Sequence, residues 1–116
     1  MKENIVKVKS FDFALRIVKL YQYLIAEKKE YVLSKQLLRS GTAIGAMIRE
    51  SEHAESKPDF IHKLSVALKE ANETEYWIEL IFKSEFIEEK SFRSIQNDVE
   101  ELLKLLTAII KTSKSK

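Results

Sequence analysis

His53 and His62 are the only histidines in the chain and the first residues to weigh for chemistry. Glu50, Glu52, Glu55 and Asp59 lie around them, so nitrogen and carboxylate ligands for a divalent metal stand close in sequence. A di-iron bundle needs a Glu-x-x-His pair from each of two helices. Glu50-Ser51-Glu52-His53 supplies one pair, and Asp59-Phe60-Ile61-His62 only approximates a second. The spacing fits no other ligand pattern, and acidic helix ends are commonly just solvated, so neither a metal nor any other cofactor is expected. The chain has no cysteine, which excludes disulfides, thiolate catalysis and cysteine-ligated clusters. No serine–histidine–acid set can be placed from the sequence. An enzyme is not expected, and a metal-dependent one using His53 and His62 stays a minor alternative.

The two glycines, Gly41 and Gly45, are four apart and share a helix face. Each costs about 0.5–1 kcal/mol against alanine inside a helix. Close approach of a neighbouring helix is the expected compensation. A phosphate-cradling loop is the other explanation, but neither a Gly-x-Gly-x-x-Gly run nor a Gly-Lys-Ser/Thr run is present.

These residues must be held by long helices. The chain has 116 residues, enough for one domain, with 2 glycines and 1 proline. Average usage would give about 8 and 6, so a turn-rich sandwich or barrel is excluded. Ser10 can cap a first helix over about 11–28, with Ala14, Ile17, Val18, Tyr21, Leu24 and Ile25 as its stripe. Ser34 can cap a second over 34–55, with Leu37, Gly41, Ile44 and Ile48 facing inward. Ser56-Lys57-Pro58-Asp59 places a cap, a first-turn proline and an acid at the third helical position, opening a third helix over 57–83. A fourth runs over 89–111 along Phe92, Ile95, Val99, Leu102, Leu106 and Ile109. Short connections make successive helices antiparallel neighbours. The fold expected is all-α, a single antiparallel up-down-up-down four-helix bundle.

Charge is unevenly spread. The net charge is +2, yet residues 1–9 carry +2 and residues 111–116 carry +3, leaving an acidic body of −3. Such a chain resembles an interaction protein more than a uniformly basic nucleic-acid binder. No apolar stretch approaches the roughly 20 residues of a bilayer span, and the first nine residues lack an apolar signal core. A cytoplasmic protein without membrane contact is the expectation.

Two runs carry a family resemblance. Gln36-Leu37-Leu38-Arg39-Ser40-Gly41-Thr42-Ala43-Ile44-Gly45-Ala46-Met47-Ile48-Arg49-Glu50 resembles a signature of the bacterial four-helix-bundle proteins encoded in intervening sequences of 23S rRNA genes. Phe60 to Trp77 is similar to that family's second signature, and the likeness extends from about Phe11 to Ile110. Met47 departs from it, standing where the family usually has asparagine. The resemblance implies a homopentameric ring of bundles with no known catalytic activity. A related accessory protein of diversity-generating retroelements is a basic pentamer that binds a reverse transcriptase and nucleic acid. The leading expectation is therefore a non-enzymatic oligomer that binds RNA or a ribonucleoprotein partner. A protein-binding adaptor with no nucleic-acid role is the alternative.

Three structural expectations follow from the pattern. In the third helix, Ile61, Leu64, Leu68, Ala71, Glu75, Ile78 and Phe82 step by three and four, which puts Glu75 in the core and level with Arg39 as its partner. Val66, Trp77 and Leu80 then fall opposite that seam, as a subunit contact. Both tails meet at one end of the bundle, so Lys2, Lys7, Lys9, Lys111, Lys114 and Lys116 form a basic pole for nucleic acid.

Overall fold

Four helices fill the chain: α1 (Lys2–Glu27), α2 (Leu33–Ser51), α3 (Lys57–Lys83) and α4 (Glu89–Lys114). The structure is a computed structural model that describes the backbone of residues 2–116 and the side chains of residues 5–116. Each connection is five residues long, and the helices run antiparallel in an up-down-up-down bundle 47 Å in length. Sequential neighbours pack together, α1 also meets α4 more sparsely, and the diagonal pairs do not approach among the described residues.

The start of α3 follows its sequence. Ser56 is the N-cap, its hydroxyl accepting from the Asp59 amide at 3.2 Å, and the Asp59 carboxylate accepts in return from the Glu55 amide at 3.1 Å. The other starts do not. Ser10 caps nothing: α1 begins at Lys2, and the buried Ser10 hydroxyl donates to the Lys7 carbonyl at 3.0 Å within the helix. With no glycine or proline before it, nothing interrupts the helix, and Val6 reaches the core. The expected tail over 1–9 is thus helical from Lys2, and α4 likewise runs on through Lys114.

Ser34 is likewise inside its helix and buried. Glu30 caps α2 instead, its carboxylate accepting from the amides of Val32, Leu33 and Ser34 at 3.1, 3.0 and 2.7 Å. Burial alone would raise this carboxyl. The Leu33, Ser34 and Val32 amides outweigh it and hold Glu30 below its ordinary value. At its far end α2 stops at Ser51 rather than 55, because the His53 and Ala54 amides bond back three residues, to Glu50 and Ser51.

The core confirms the inward faces of α2 and α4: Leu37, Gly41, Ile44 and Ile48 are buried in the one, and Ile95, Val99, Leu102 and Leu106 in the other. In α4, Ile110 is the last buried residue, and Ile109 and Phe92 are half-buried. The α1 core face is Val6, Phe13, Ile17 and Leu24. The seam of α3 is rotated by part of a turn from the one expected. Leu64, Ala67, Ala71, Thr74, Ile78 and Ile81 are buried, while Ile61, Leu68, Glu75 and Phe82 are half-buried on a flank.

Candidate interaction surfaces

That rotation decides where the polar residues of α3 go. Thr74 takes the core position and pairs with Ser40 across α2, the two hydroxyls 3.0 Å apart. Their numbers add to the same total as Arg39 and Glu75, so the level was right and the direction was wrong. Arg39 turns outward to Glu70 at 3.3 Å and to Glu73. Glu75 therefore has no partner in Arg39. Half-buried, it meets Glu100 of α4 and Glu79 of its own helix, and burial first, then those two charges, raise its carboxyl above the ordinary value.

Val66, Trp77 and Leu80 are half-buried and do not point away from their own bundle. They share the flank that carries Lys63, Glu70 and Glu73, whose partners Glu50 and Arg39 belong to α2. Trp77 packs on the core edge, and its indole N–H donates to Glu73 at 2.9 Å.

The two glycines work as expected but unequally. A Cβ on Gly41 would stand 2.8 Å from Ile17 Cγ1, and one on Gly45 would stand 3.4 Å from the Ser10 carbonyl oxygen. Met47 is half-buried and packs against the core.

The start of α1, the α2–α3 turn and the end of α4 share one pole of the bundle. Lys2 lies outside the residues whose side chains are described. Lys7 pairs with Glu52 and Lys9 with Glu101, both at 3.1 Å. Lys111 and Lys114 stand exposed in the last turn of α4, Lys116 is exposed just beyond, and among the described residues none of the three forms an ion pair. His53 and His62 are exposed at the same pole. Three of the four acids around them are already engaged, Glu50 by Lys63, Glu52 by Lys7 and Asp59 by the Glu55 amide. Among the described residues no group of three potential metal ligands comes together.

One surface escaped the sequence reading. Ile5, Val8, Phe11 and Leu15 are exposed along α1. Their three-and-four spacing was visible, but it crosses Ser10, where the helix was expected to start. No helix of the described residues is long and apolar enough to cross a membrane.

Comparison with known proteins matches this architecture. A solved structure from Bacteroides thetaiotaomicron, described as a protein of unknown function from the S23 ribosomal protein family, superposes with a TM-score of 0.94 at 60% identity. The match covers 96% of this chain and 99% of that one. A comparison with curated proteins finds no match. The family model for the 23S rRNA-intervening sequence protein matches residues 2–108. The chain belongs to the 23S rRNA-intervening sequence protein family.

Proposed function

We propose that the chain is a non-enzymatic helical bundle that assembles into a homo-oligomer and holds RNA, or a ribonucleoprotein, through phosphate contacts at its basic pole. The observation that carries this reading is the end of α4, where Lys111, Lys114 and Lys116 are exposed and without ion pairs among the described residues. Lys7 and Lys9 are already occupied by Glu52 and Glu101, so the contact set contracts to the three C-terminal lysines. A ring of five, the assembly implied by the family resemblance, would gather these lysines on one face. Three phosphate contacts per subunit are weak alone and additive in an assembly, because each releases counterions. Such binding follows the backbone and ignores base sequence. The RNA named in the family's description is a second support.

The test is retention of single-stranded RNA as salt is raised. The slope of log affinity against log salt should be about −0.7 per phosphate contacted. The triple variant Lys111→Gln, Lys114→Gln, Lys116→Gln should lose most of that slope, while Lys7→Gln with Lys9→Gln should lose little. If the triple variant binds as the parent does, these lysines only offset the α4 dipole, and the adaptor reading replaces this one.

A further inference from the structure

Between Ile5 and Leu15, the face of α1 that no helix of its own bundle covers is mainly apolar. Ile5, Val8, Phe11 and Leu15 are each 47–56% exposed. Together they offer on the order of 400 Å² of apolar surface, as large as the biggest patch on an ordinary monomer. At about 100° per residue, Val8 and Leu15 point straight out, Ile5 and Asp12 lean toward α4, and Phe11 leans toward α2. The other large exposed apolar side chains, Tyr23, Tyr31, Val32 and Tyr76, sit toward the opposite pole. Among the described residues nothing else near the level of Val8 matches this ridge.

Beside the ridge lies a groove of about 300 Å³ between α1 and α2. Phe11 and Arg49 wall it, the Arg49 guanidinium standing 5.1 Å from the Phe11 ring centroid. Ala14, Thr42 and Ala46 form a low floor where Gly45 draws the helices together. Ridge and groove occupy adjoining sides of the same helix, so one chain cannot fill its own groove. A second copy rotated about an axis parallel to the bundle brings its ridge into it.

Charge selects that occupant. Asp12 flanks the ridge and Arg49 the groove; both are exposed, and among the described residues neither forms an ion pair. Arg49 stands level with Phe11. Two copies at equal height therefore set Asp12 of one within about 1.5 Å, along the axis, of Arg49 of the next. We infer that the Ile5–Val8–Leu15 ridge of one copy seats in the α1–α2 groove of the next, where Asp12 pairs with Arg49. The contact joins two different faces, so repeating it builds a ring and not a two-fold dimer. This inference rests on the self-association proposed above and requires no RNA.

The test is the mass of the full chain by light scattering, against 13.5 kDa for one copy. Wild type should be a multiple of that mass. Asp12→Arg and Arg49→Asp should each weaken association at least tenfold with helical circular dichroism unchanged, and the double variant should regain the wild-type mass. Val8→Lys, at an exposed position, should dissociate the assembly without touching the core. A monomeric wild type overturns this inference and self-association together. An oligomeric wild type whose single variants keep their mass overturns the seating alone. A double variant that stays dissociated overturns the Asp12–Arg49 pairing.

Discussion

Helix α1 meets its two neighbours in opposite ways. On the α2 side, Gly41 gives up its volume to Ile17, and at Gly45 the Ser10 carbonyl oxygen lies 3.4 Å from where a Cβ would stand. On the α4 side no glycine meets α1, since both glycines of the chain lie in α2. Space remains there, a cleft of about 380 Å³ lined by Arg16, Lys19, Leu20, Ile87, Ser91 and Ile95. Long side chains bridge it: Arg16 reaches Asp98 at 2.6 Å and the Ser94 hydroxyl at 3.0 Å, and Lys9 reaches Glu101. Interaxial distance follows the side chains at the crossing. Glycines close a helix pair; ion pairs span one that stays open.

The sharpest way to break this contrast is at Ile17 and Gly41. Ile17→Ala empties a fully buried site and should cost about 2–5 kcal/mol. Gly41→Ala forces a methyl against two Ile17 carbons, at 2.8 and 2.9 Å. Overpacking of about 1–3 kcal/mol should exceed the roughly 0.5–1 kcal/mol gained in helix propensity. Placed in the Ile17→Ala background, the same Gly41→Ala change should turn stabilising, because its methyl then meets no branched side chain. Gly45→Ala, facing a carbonyl at 3.4 Å, should be neutral or stabilising from the start. Urea unfolding of the four variants reads all of this, and a Gly41→Ala cost unchanged by Ile17→Ala would refute the steric account.

The closed side was legible in the sequence, and its opposite was not. Two glycines four apart in an apolar stripe say that something comes close, and α2 obliged. No such signal marks a gap, because Arg16, Lys19 and Ser91 read as an ordinary solvated face. Turns were partly hidden for a related reason. The left-handed positions that end α1 and α3 are held by Lys29, φ 55°, and Glu85, φ 69°, while both glycines lie inside α2. Serine was an uneven guide: Ser56 caps as expected, whereas Ser10 and Ser34 bond carbonyls inside or just before their helices. In α3 the error was one of rotation. Ala71 and Ile78 fit either seam, and only the fold decides that Thr74 and not Glu75 turns inward.

The open side predicts a smaller response. Arg16 and Asp98 are each about two-fifths exposed, so their pair is worth at most about 1 kcal/mol. Arg16→Ala should lower stability by that amount in dilute buffer and by less in high salt, since the charges are screened. Amide exchange should quicken locally near Ser94 and Asp98 and stay slow at Ile44. A global loss of several kcal/mol would mean that this bridge, too, holds the helices closed.

The other flank of α4 turns the contrast on itself, for there the charges that meet are alike. Glu75 is half-buried, faces Glu100 and stands four residues from Glu79; burial first, then those two charges, raise its carboxyl. The folded chain therefore binds that proton more tightly than the unfolded chain does. The penalty is absent below the ordinary carboxylate value of 4.5 and grows as pH rises through it, becoming complete above the raised value. Glu75→Gln removes the charge at every pH while keeping the shape. At pH 7 the variant should be more stable than wild type by about 0.5 kcal/mol, the scale of like-charge helix pairs. The gain should shrink as pH falls through the carboxylate range, and the two melting temperatures should converge in acid. A variant less stable than wild type at pH 7 would show that Glu75 has a cationic partner after all, and that both flanks of α4 are held by complementary charge.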